Sequence, residues 1–200
     1  MRPRYLAVAG FLLFLAGVAA FLGIITAEAL YPEGYSTSLN RISDLGATQP
    51  PHSRIEEPSA TIFNTVMMAA GALILVASFC VQRGCGRWLA PVLIALSGVG
   101  LVGVGVFPAD QGTIHAVFAV LAFGAGALAA IVSFTIVAPP LSYISVILGL
   151  TALVIGSLHG VLGDSGPLAG LGLGGIERWV AYPVLLWTTG FGGYLMGRAR

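Results

Sequence analysis

The sequence predicts an all-α membrane protein, a polytopic transmembrane bundle of six helices arranged as three hairpins in a single domain, residues 1–200. Hydrophobic residues make up 57% of the chain and charged residues only 8%, whereas soluble proteins contain about 25% charged residues. The mean hydropathy is +0.94. A spanning helix needs about 20 mostly apolar residues. Stretches of that kind cover residues 5–30, 60–82, 88–107, 114–137, 142–162 and 176–197.

The first span has some features of a signal peptide. Arg2 and Arg4 precede its apolar run, and Ala27-Glu28-Ala29 has the small residues of a cleavage site. The run is about twice as long as the apolar region of a signal peptide, which is roughly 7–15 residues. We therefore expect a spanning helix that is not cleaved.

The long segment between the first two spans, residues 31–59, is polar and contains several prolines. Within it, Ser38 is placed to cap a short amphipathic helix that Gly46 would stop. Apolar residues at a spacing of three would lie on one side of that helix, which suits a position on the outer mouth of the bundle or in the membrane interface. These apolar residues are Leu39, Ile42 and Leu45.

The remaining spans are separated by short breaks. Residues 83–87 are arginine- and glycine-rich, and residues 108–112 form a turn after which Thr113 could cap the fourth helix. Pro139-Pro140 ends that helix because proline has no N–H to donate. A glycine-rich connection, residues 163–175, precedes the sixth span. Ser59 is placed to cap the helix of the second span.

The arginines predict the orientation in the cell membrane. Cytoplasmic loops of membrane proteins are enriched in basic residues, and six of the nine arginines fall on the side of the two termini. The termini are therefore expected in the cytoplasm. All eight acidic residues and all three histidines fall on the other side. The arginines of the cytoplasmic side are Arg2, Arg4, Arg83, Arg87, Arg198 and Arg200.

Composition also excludes several functions. A net charge of +1 leaves no basic surface for nucleic acid, and the absence of lysine removes Schiff-base chemistry. Gly98, Gly100 and Gly103 spell a dinucleotide-binding fingerprint, but inside an apolar span with no strand before it. The two cysteines, Cys80 and Cys85, cannot form a disulfide framework.

Two acid–histidine pairs are the candidates for metal chemistry. Asp110 and His115, and in mirrored order His159 and Asp164, each have four residues between them and flank the predicted extracytoplasmic ends of helices. Two imidazoles and two carboxylates could hold a divalent metal such as Zn²⁺ and leave a position for water. They could equally form a hydrogen-bonded network that closes the mouth of the bundle.

Polar residues near the same mouth are candidates for binding. Asn40 and Asp44 are one helical turn apart, so both could face the mouth. Arg178 could pair internally with Asp44, Asp110 or Asp164, because a buried arginine needs such a partner. Its planar fork could instead grip a phosphate or carboxylate.

Four short motifs follow one another along the chain: Asn40-x-x-Ser43-Asp44-Leu45-Gly46, Ile62-Phe63-Asn64, Gly103-x-Gly105-x-Phe107-Pro108 with His115 after it, and Gly174-x-x-Glu177-Arg178. In this order they resemble the domain-of-unknown-function 998 family of prokaryotic six-helix membrane proteins. The resemblance implies the six-helix fold but no activity, and the family is distantly similar to the Frag1, DRAM and Sfk1 type, several of which are associated with lipid handling. The matching positions give the ligand-binding candidates Asn40, Ser43, Asp44, Asn64, Glu177 and Arg178, together with Pro108 and His115.

Two functions follow as expectations. The first is an extracytoplasmic polar site that binds a lipid headgroup or another small polar ligand, with membrane lipid as the partner. The alternative is an intramembrane, metal-assisted hydrolase or lipid-modifying enzyme that uses the acid–histidine pairs.

Overall fold

A computed structural model describes residues 2–163 and 166–199. This part of the chain is all-α, without strands, and contains six long helices, which confirms the predicted fold class. The helices are α1 (Pro3–Ala29), α2 (Ser59–Cys85), α3 (Leu89–Val106), α4 (Thr113–Val132), α5 (Leu141–Leu162) and α6 (Gly172–Arg198).

Among the described residues, five helices, α1 to α5, are long and apolar enough to cross a membrane. The sixth is as long as α1 and α2, with 27 residues. It is less apolar because it contains Glu177, Arg178 and several threonine, glycine and aromatic residues.

The helices pack in chain order around a closed ring, with α1 against α6. The predicted grouping into three hairpins is not confirmed, because α2 packs about as extensively against α3 as against α1.

Glycines allow neighbouring helices to approach each other closely. A Cβ atom at Gly10 of α1 would lie 2.6 Å from the carbonyl oxygen of Gly192 in α6, and small residues of this kind drive helix association in lipid.

The amphipathic helix predicted in the first loop is not confirmed. Only Ser43–Leu45 forms a short 3₁₀ turn, and Leu39 is 70% exposed although Ile42 and Leu45 are buried. The apolar residues therefore do not share one face. The loop instead folds back on the ends of the long helices, where it hydrogen-bonds to the start of α6.

The predicted helix caps are also wrong. No side-chain cap is present at the start of α2 or α4. The hydroxyl of Ser59 donates instead to the carbonyl oxygen of Leu45 at 3.1 Å, so it ties the first loop to α2. The backbone of Thr113 begins α4 directly after Gly112, which has a positive φ.

The bundle has two chemically different ends. At one, which we call the loop end, lie residues 30–58, 107–112 and the described part of 163–171. At the other, which we call the arginine end, the described acidic residues are absent and only basic charges occur. These are Arg2, Arg4, Arg83, Arg87 and Arg198.

Candidate functional site

The loop end is held by a contact that we call the clasp, in which residues 35–46 lie against the first two turns of α6. The carbonyl oxygen of Ser38 accepts hydrogen bonds from the N–H groups of Gly174, at 2.9 Å, and Gly175, at 3.2 Å. A Cβ atom at Gly174 would lie only 2.0 Å from the carbonyl oxygen of Asn40. Glycine is therefore required for the backbones to approach this closely.

Arg178 lies at the centre of the clasp and is 9% exposed. Its Nη2 pairs with the carboxylate of Glu28, in the last turn of α1, and donates to the hydroxyl of Tyr35 at 2.7 Å. Arg178 thus has an internal ion pair, one of the two predicted alternatives. Its partner is Glu28 because α1 packs against α6. The described acids among the expected partners, Asp44 and Asp110, do not pair with it.

The second terminal nitrogen of Arg178 holds the backbone of the loop. Nη1 donates to the carbonyl oxygens of Thr37, at 2.8 Å, and Asn40, at 3.0 Å. It also reaches the carbonyl oxygen of Gly174 in its own helix, at 3.0 Å. Only Nε is buried without a partner among the described residues, so both terminal nitrogens of the fork are occupied and little of it remains for a ligand.

Glu177, the neighbour of Arg178, binds the other end of the loop. Its Oε2 accepts hydrogen bonds from the N–H groups of Ile42 and Ser43. These N–H groups belong to the start of the 3₁₀ turn, where a negative charge is favourable. Consecutive residues of α6 therefore grip the two ends of one loop segment.

Tyr35 connects the loop to both sides of the clasp. Its hydroxyl donates to the carbonyl oxygen of Arg41 at 3.0 Å and accepts from Arg178, whose guanidinium carbon lies 5.7 Å from the ring centroid. Burial raises the pKa of the Tyr35 hydroxyl above its usual value, although the hydrogen bond from Arg178 lowers it. The hydroxyl therefore stays protonated and continues to donate.

A cavity of about 460 Å³ lies beside the clasp, between α4, α5 and α6. Its walls toward the middle of the bundle are apolar, formed by residues such as Ala119, Val120, Phe123, Ala152, Leu153 and Val180. Its end near the loops is polar. The polar lining residues there are Arg41, Ser43, Gln49, His115, His159 and Glu177.

The two helix-borne histidines line this same cavity from different helices. His115 of α4 is 4% exposed, and its Nδ1 lies 2.8 Å from the carbonyl oxygen of Phe107. Because a carbonyl only accepts, Nδ1 carries the proton, and Nε2 of the neutral ring is an acceptor. The Nδ1 atom of His159, in α5, is buried without a partner among the described residues.

The predicted metal ligands do not all come together. Within the described residues, no three side chains of His, Cys, Asp or Glu form a group that could hold a metal ion. Asp110 does not line the cavity, and its Oδ2 accepts from the side chain of Gln111 at 3.3 Å. Asp164 lies outside the described residues. Of the two carboxylates expected to complete a metal site, Asp110, the one that lies within the described residues, is therefore not beside the histidines in the cavity.

The other predicted binding residues mostly shape the loop. Oδ1 of Asn40 accepts from the N–H of Ser36 at 2.9 Å, and Oδ2 of Asp44 accepts from the N–H of Arg41 at 2.9 Å. Asn40 and Asp44 were expected to face the mouth together. Neither lines the cavity, because each carboxamide or carboxylate closes a local turn.

Ser43 and Asn64 have different positions. Ser43 is buried and lines the cavity. Asn64, in the second turn of α2, lies under the loop, where a Cβ atom at Gly46 would come within 2.4 Å of its Oδ1. That Oδ1 atom is buried without a partner among the described residues.

Arg41 and Gln49 also line the polar end of the cavity, although neither was predicted as a site residue. The guanidinium of Arg41 makes no ion pair or hydrogen bond with any described residue. A signal for Arg41 was present in the sequence, because it is one of the three arginines that fall on the side opposite the termini, where the positive-inside rule predicts few basic residues.

The apolar helices define the chain as a multi-pass α-helical membrane protein. The chain belongs to a family described as a protein of unknown function (DUF998), whose model matches residues 6–193. No curated protein and no solved structure matches the chain. The family assignment confirms the predicted resemblance, and two of the four motifs that carried it, those around Asn40 and Glu177, meet in the clasp.

Proposed function

We propose that this protein binds a lipid headgroup or another small polar ligand in the cavity between α4, α5 and α6. The observation that carries the proposal is the division of the cavity into a polar end and apolar walls. Binding pockets of this size are usually apolar with a few convergent polar groups. Such a cavity suits a molecule with one polar end.

In this proposal the clasp organises the polar end. The loop that Glu177 and Arg178 hold supplies Arg41 and Ser43 to the cavity. Buried hydrogen bonds and an ion pair fix that loop, so the ligand groups meet a preorganised surface. Preorganisation favours binding because fewer side chains must be ordered when the ligand arrives.

We further propose that the loop end faces the outside of the cell and that both termini are cytoplasmic. The five described arginines of the arginine end support this orientation, since basic residues accumulate on the cytoplasmic side. The polar end of the cavity would then open toward the extracytoplasmic side of the membrane.

Filling the cavity tests the proposed function. Gly124 lines the cavity, and a Cβ atom there would meet nothing within 4 Å, so Gly124→Leu should occupy the space without disturbing the helices. Gly193 in α6 has the same free space but lies elsewhere, which makes Gly193→Leu the matched control. We expect mass spectrometry of the purified proteins to find a co-purifying molecule that Gly124→Leu loses and Gly193→Leu retains. Identical retention by both variants would contradict the proposal.

A further inference from the structure

The outer half of α5, toward the loop end, is loosely packed. Its buried residues are Ser142, Ser145, Gly149 and Ala152. All four lie within the first twelve of its 22 residues, on the side of the arginine end, and none of residues 153–162 is buried. The helix thus packs closely on the bundle through its first three turns and more loosely beyond them, where a Cβ atom at Gly156 would still lie 3.6 Å from Val180 of α6.

Glycine environments show that α4 and α5 separate toward the loop end. A Cβ atom at Gly149 would lie 2.5 Å from the carbonyl oxygen of Ala127 in α4, so the helices touch there. Farther along, Cβ atoms at Gly124 of α4 and Gly160 of α5 would meet nothing within 4 Å. The gap between the two helices therefore widens where the cavity lies.

The cavity reaches the lipid-facing surface through this gap. Val120 lines the cavity and is nevertheless 73% exposed. A groove of about 400 Å³ along the outer half of α5 shares Leu153 and Ser157 with the cavity. The cavity thus opens toward the bilayer side beside Val120, and we call this opening, together with the neighbouring apolar groove of α5, the passage.

The polar end contains unpaired groups that suit an anion. The guanidinium of Arg41, a half-buried residue, has no hydrogen-bond or ion-pair partner among the described residues. Nδ1 of His159 is buried and likewise without one. The nearby Glu177 directs one carboxylate oxygen, Oε2, to the N–H groups of Ile42 and Ser43. Guanidinium groups bind phosphate through paired, charge-assisted hydrogen bonds.

We infer that the ligand is an anionic phospholipid that enters sideways from the bilayer between α4 and α5. Its phosphate lies at the polar end near Arg41 and His159, and part of an acyl chain occupies the apolar passage. This inference rests on the proposed function and adds the ligand class and the route. A soluble phosphate ester would share the headgroup chemistry but would need no passage through the bilayer side.

Blocking the passage tests the route. Two exposed valines of α4 are suitable for this test, Val120, which is 73% exposed, and Val117, which is 60% exposed. Of the two, Val120 lines the cavity and Val117 does not. The protein is reconstituted in vesicles that contain phosphatidylglycerol with a photoreactive acyl chain. Val120→Trp should lower cross-linking to α4 and α5 by about tenfold, as expected when a bulky ring replaces the chain. Val117→Trp should leave cross-linking unchanged, and equal cross-linking in both variants would overturn the route.

Changing the headgroup contact tests the ligand class. Arg41→Gln should weaken binding of phosphatidylglycerol about tenfold or more, because a charge-assisted hydrogen bond is lost. Arg54→Gln, an exposed arginine of the same loop, is the control and should bind normally. For each protein, binding of phosphatidylglycerol is compared with binding of phosphatidylcholine, whose headgroup has no net charge. Equal binding of the two lipids by the unmodified protein would overturn the anionic class.

A soluble probe separates the inference from the proposed function. We expect glycerol phosphate, even in large excess, to compete poorly with phosphatidylglycerol. If glycerol phosphate binds as tightly, and Gly124→Leu abolishes that binding, the proposed polar site stands and the lipid inference is wrong. If the unmodified protein binds neither probe, and Gly124→Leu and Gly193→Leu retain identical co-purifying molecules, the proposed function fails as well.

Discussion

Glu177 and Arg178 are adjacent in the chain, yet they act on different parts of the loop. Glu177 accepts N–H groups at the 3₁₀ turn, while Arg178 donates to carbonyl groups one turn earlier and pairs with Glu28. Residues one position apart on a helix point about 100° from each other. These two adjacent residues thus provide hydrogen-bond partners for both N–H and carbonyl groups of the loop, whose backbone forms few regular helical hydrogen bonds of its own.

Removing Arg178 should destabilise the protein. Arg178→Ala leaves Glu28 and the loop carbonyls without their donor, and breaking a buried ion pair costs about 3–5 kcal/mol. Thermal unfolding in detergent should show a clear fall in Tm. Adding Glu28→Gln should recover part of the loss, because no buried charge is then left unpaired.

Arg54→Ala is the control for this experiment, since Arg54 is exposed in the same loop. If Arg178→Ala unfolds at the same temperature as Arg54→Ala, the ion pair has no structural role. The alternative that Arg178 binds an anionic headgroup would then regain support.

The stability that the Tyr35 hydroxyl contributes to the folded protein should decrease at alkaline pH. Tyr35→Phe loses a hydrogen bond to the carbonyl oxygen of Arg41 and one from Arg178, so it should be less stable at neutral pH by about 1–3 kcal/mol. The pKa of Tyr35 is raised in the folded protein, mainly by burial. The unmodified protein therefore has its full advantage below the unfolded pKa of about 10 and loses it as the pH rises beyond that value.

The measurement is the difference in Tm between the unmodified protein and Tyr35→Phe across pH 8 to about pH 11, a range that brackets the ordinary tyrosine pKa. Other tyrosines titrate in both proteins, so the difference isolates Tyr35. A gap that stays constant or widens toward high pH would show that the hydroxyl is not held in its protonated form.

At the scale of elements, the start of α6 is the surface on which the backbone of the first loop packs. Its first turns carry glycine at the two positions where a side chain would strike the loop, Gly172 and Gly174. The N–H groups at this helix start have no partner within the helix, and Ser38 supplies an acceptor for two of them. Small residues and free N–H groups together make this helix end fit a loop.

Adjacent glycines test this docking. Gly174→Ala would place a methyl group 2.0 Å from the carbonyl oxygen of Asn40 and should push the loop away, lowering Tm by several degrees. At Gly175 the nearest atom to a new Cβ is 3.3 Å away, on Leu171, so Gly175→Ala should be nearly neutral. Equal effects of the two substitutions would show that the loop does not need this close approach.

The sequence was informative about elements because membrane helices require long apolar runs, and the observed ends of α3 lie within one residue of the predicted 88–107. It was less informative about contacts. The pairing of Arg178 with Glu28 depends on α1 and α6 being neighbours, and no local pattern encodes which helices meet across a ring. The prediction of an amphipathic helix was wrong because backbone groups of the loop form hydrogen bonds with side chains of α6 instead of with each other along a regular helix.

At the scale of the whole molecule, charge separates the two ends of the bundle. The arginine end presents the described basic residues Arg2, Arg4, Arg83, Arg87 and Arg198 with no described acid beside them. The loop end contains the cavity mouth and the clasp. A protein with its mouth on the cytoplasmic side would need its arginine end outside, against the usual bias.

Cysteine labelling tests this orientation. In a background with Cys80 and Cys85 replaced by alanine, single cysteines are placed at Gln49, exposed at the loop end, and at Arg87, exposed at the arginine end. A maleimide that does not cross membranes is added to intact cells. We expect Gln49→Cys to react and Arg87→Cys to react only after the cells are opened, because the positive-inside rule places the arginine end in the cytoplasm. The opposite pattern would turn the cavity toward the cytoplasm, so that any lipid it binds would come from the inner leaflet.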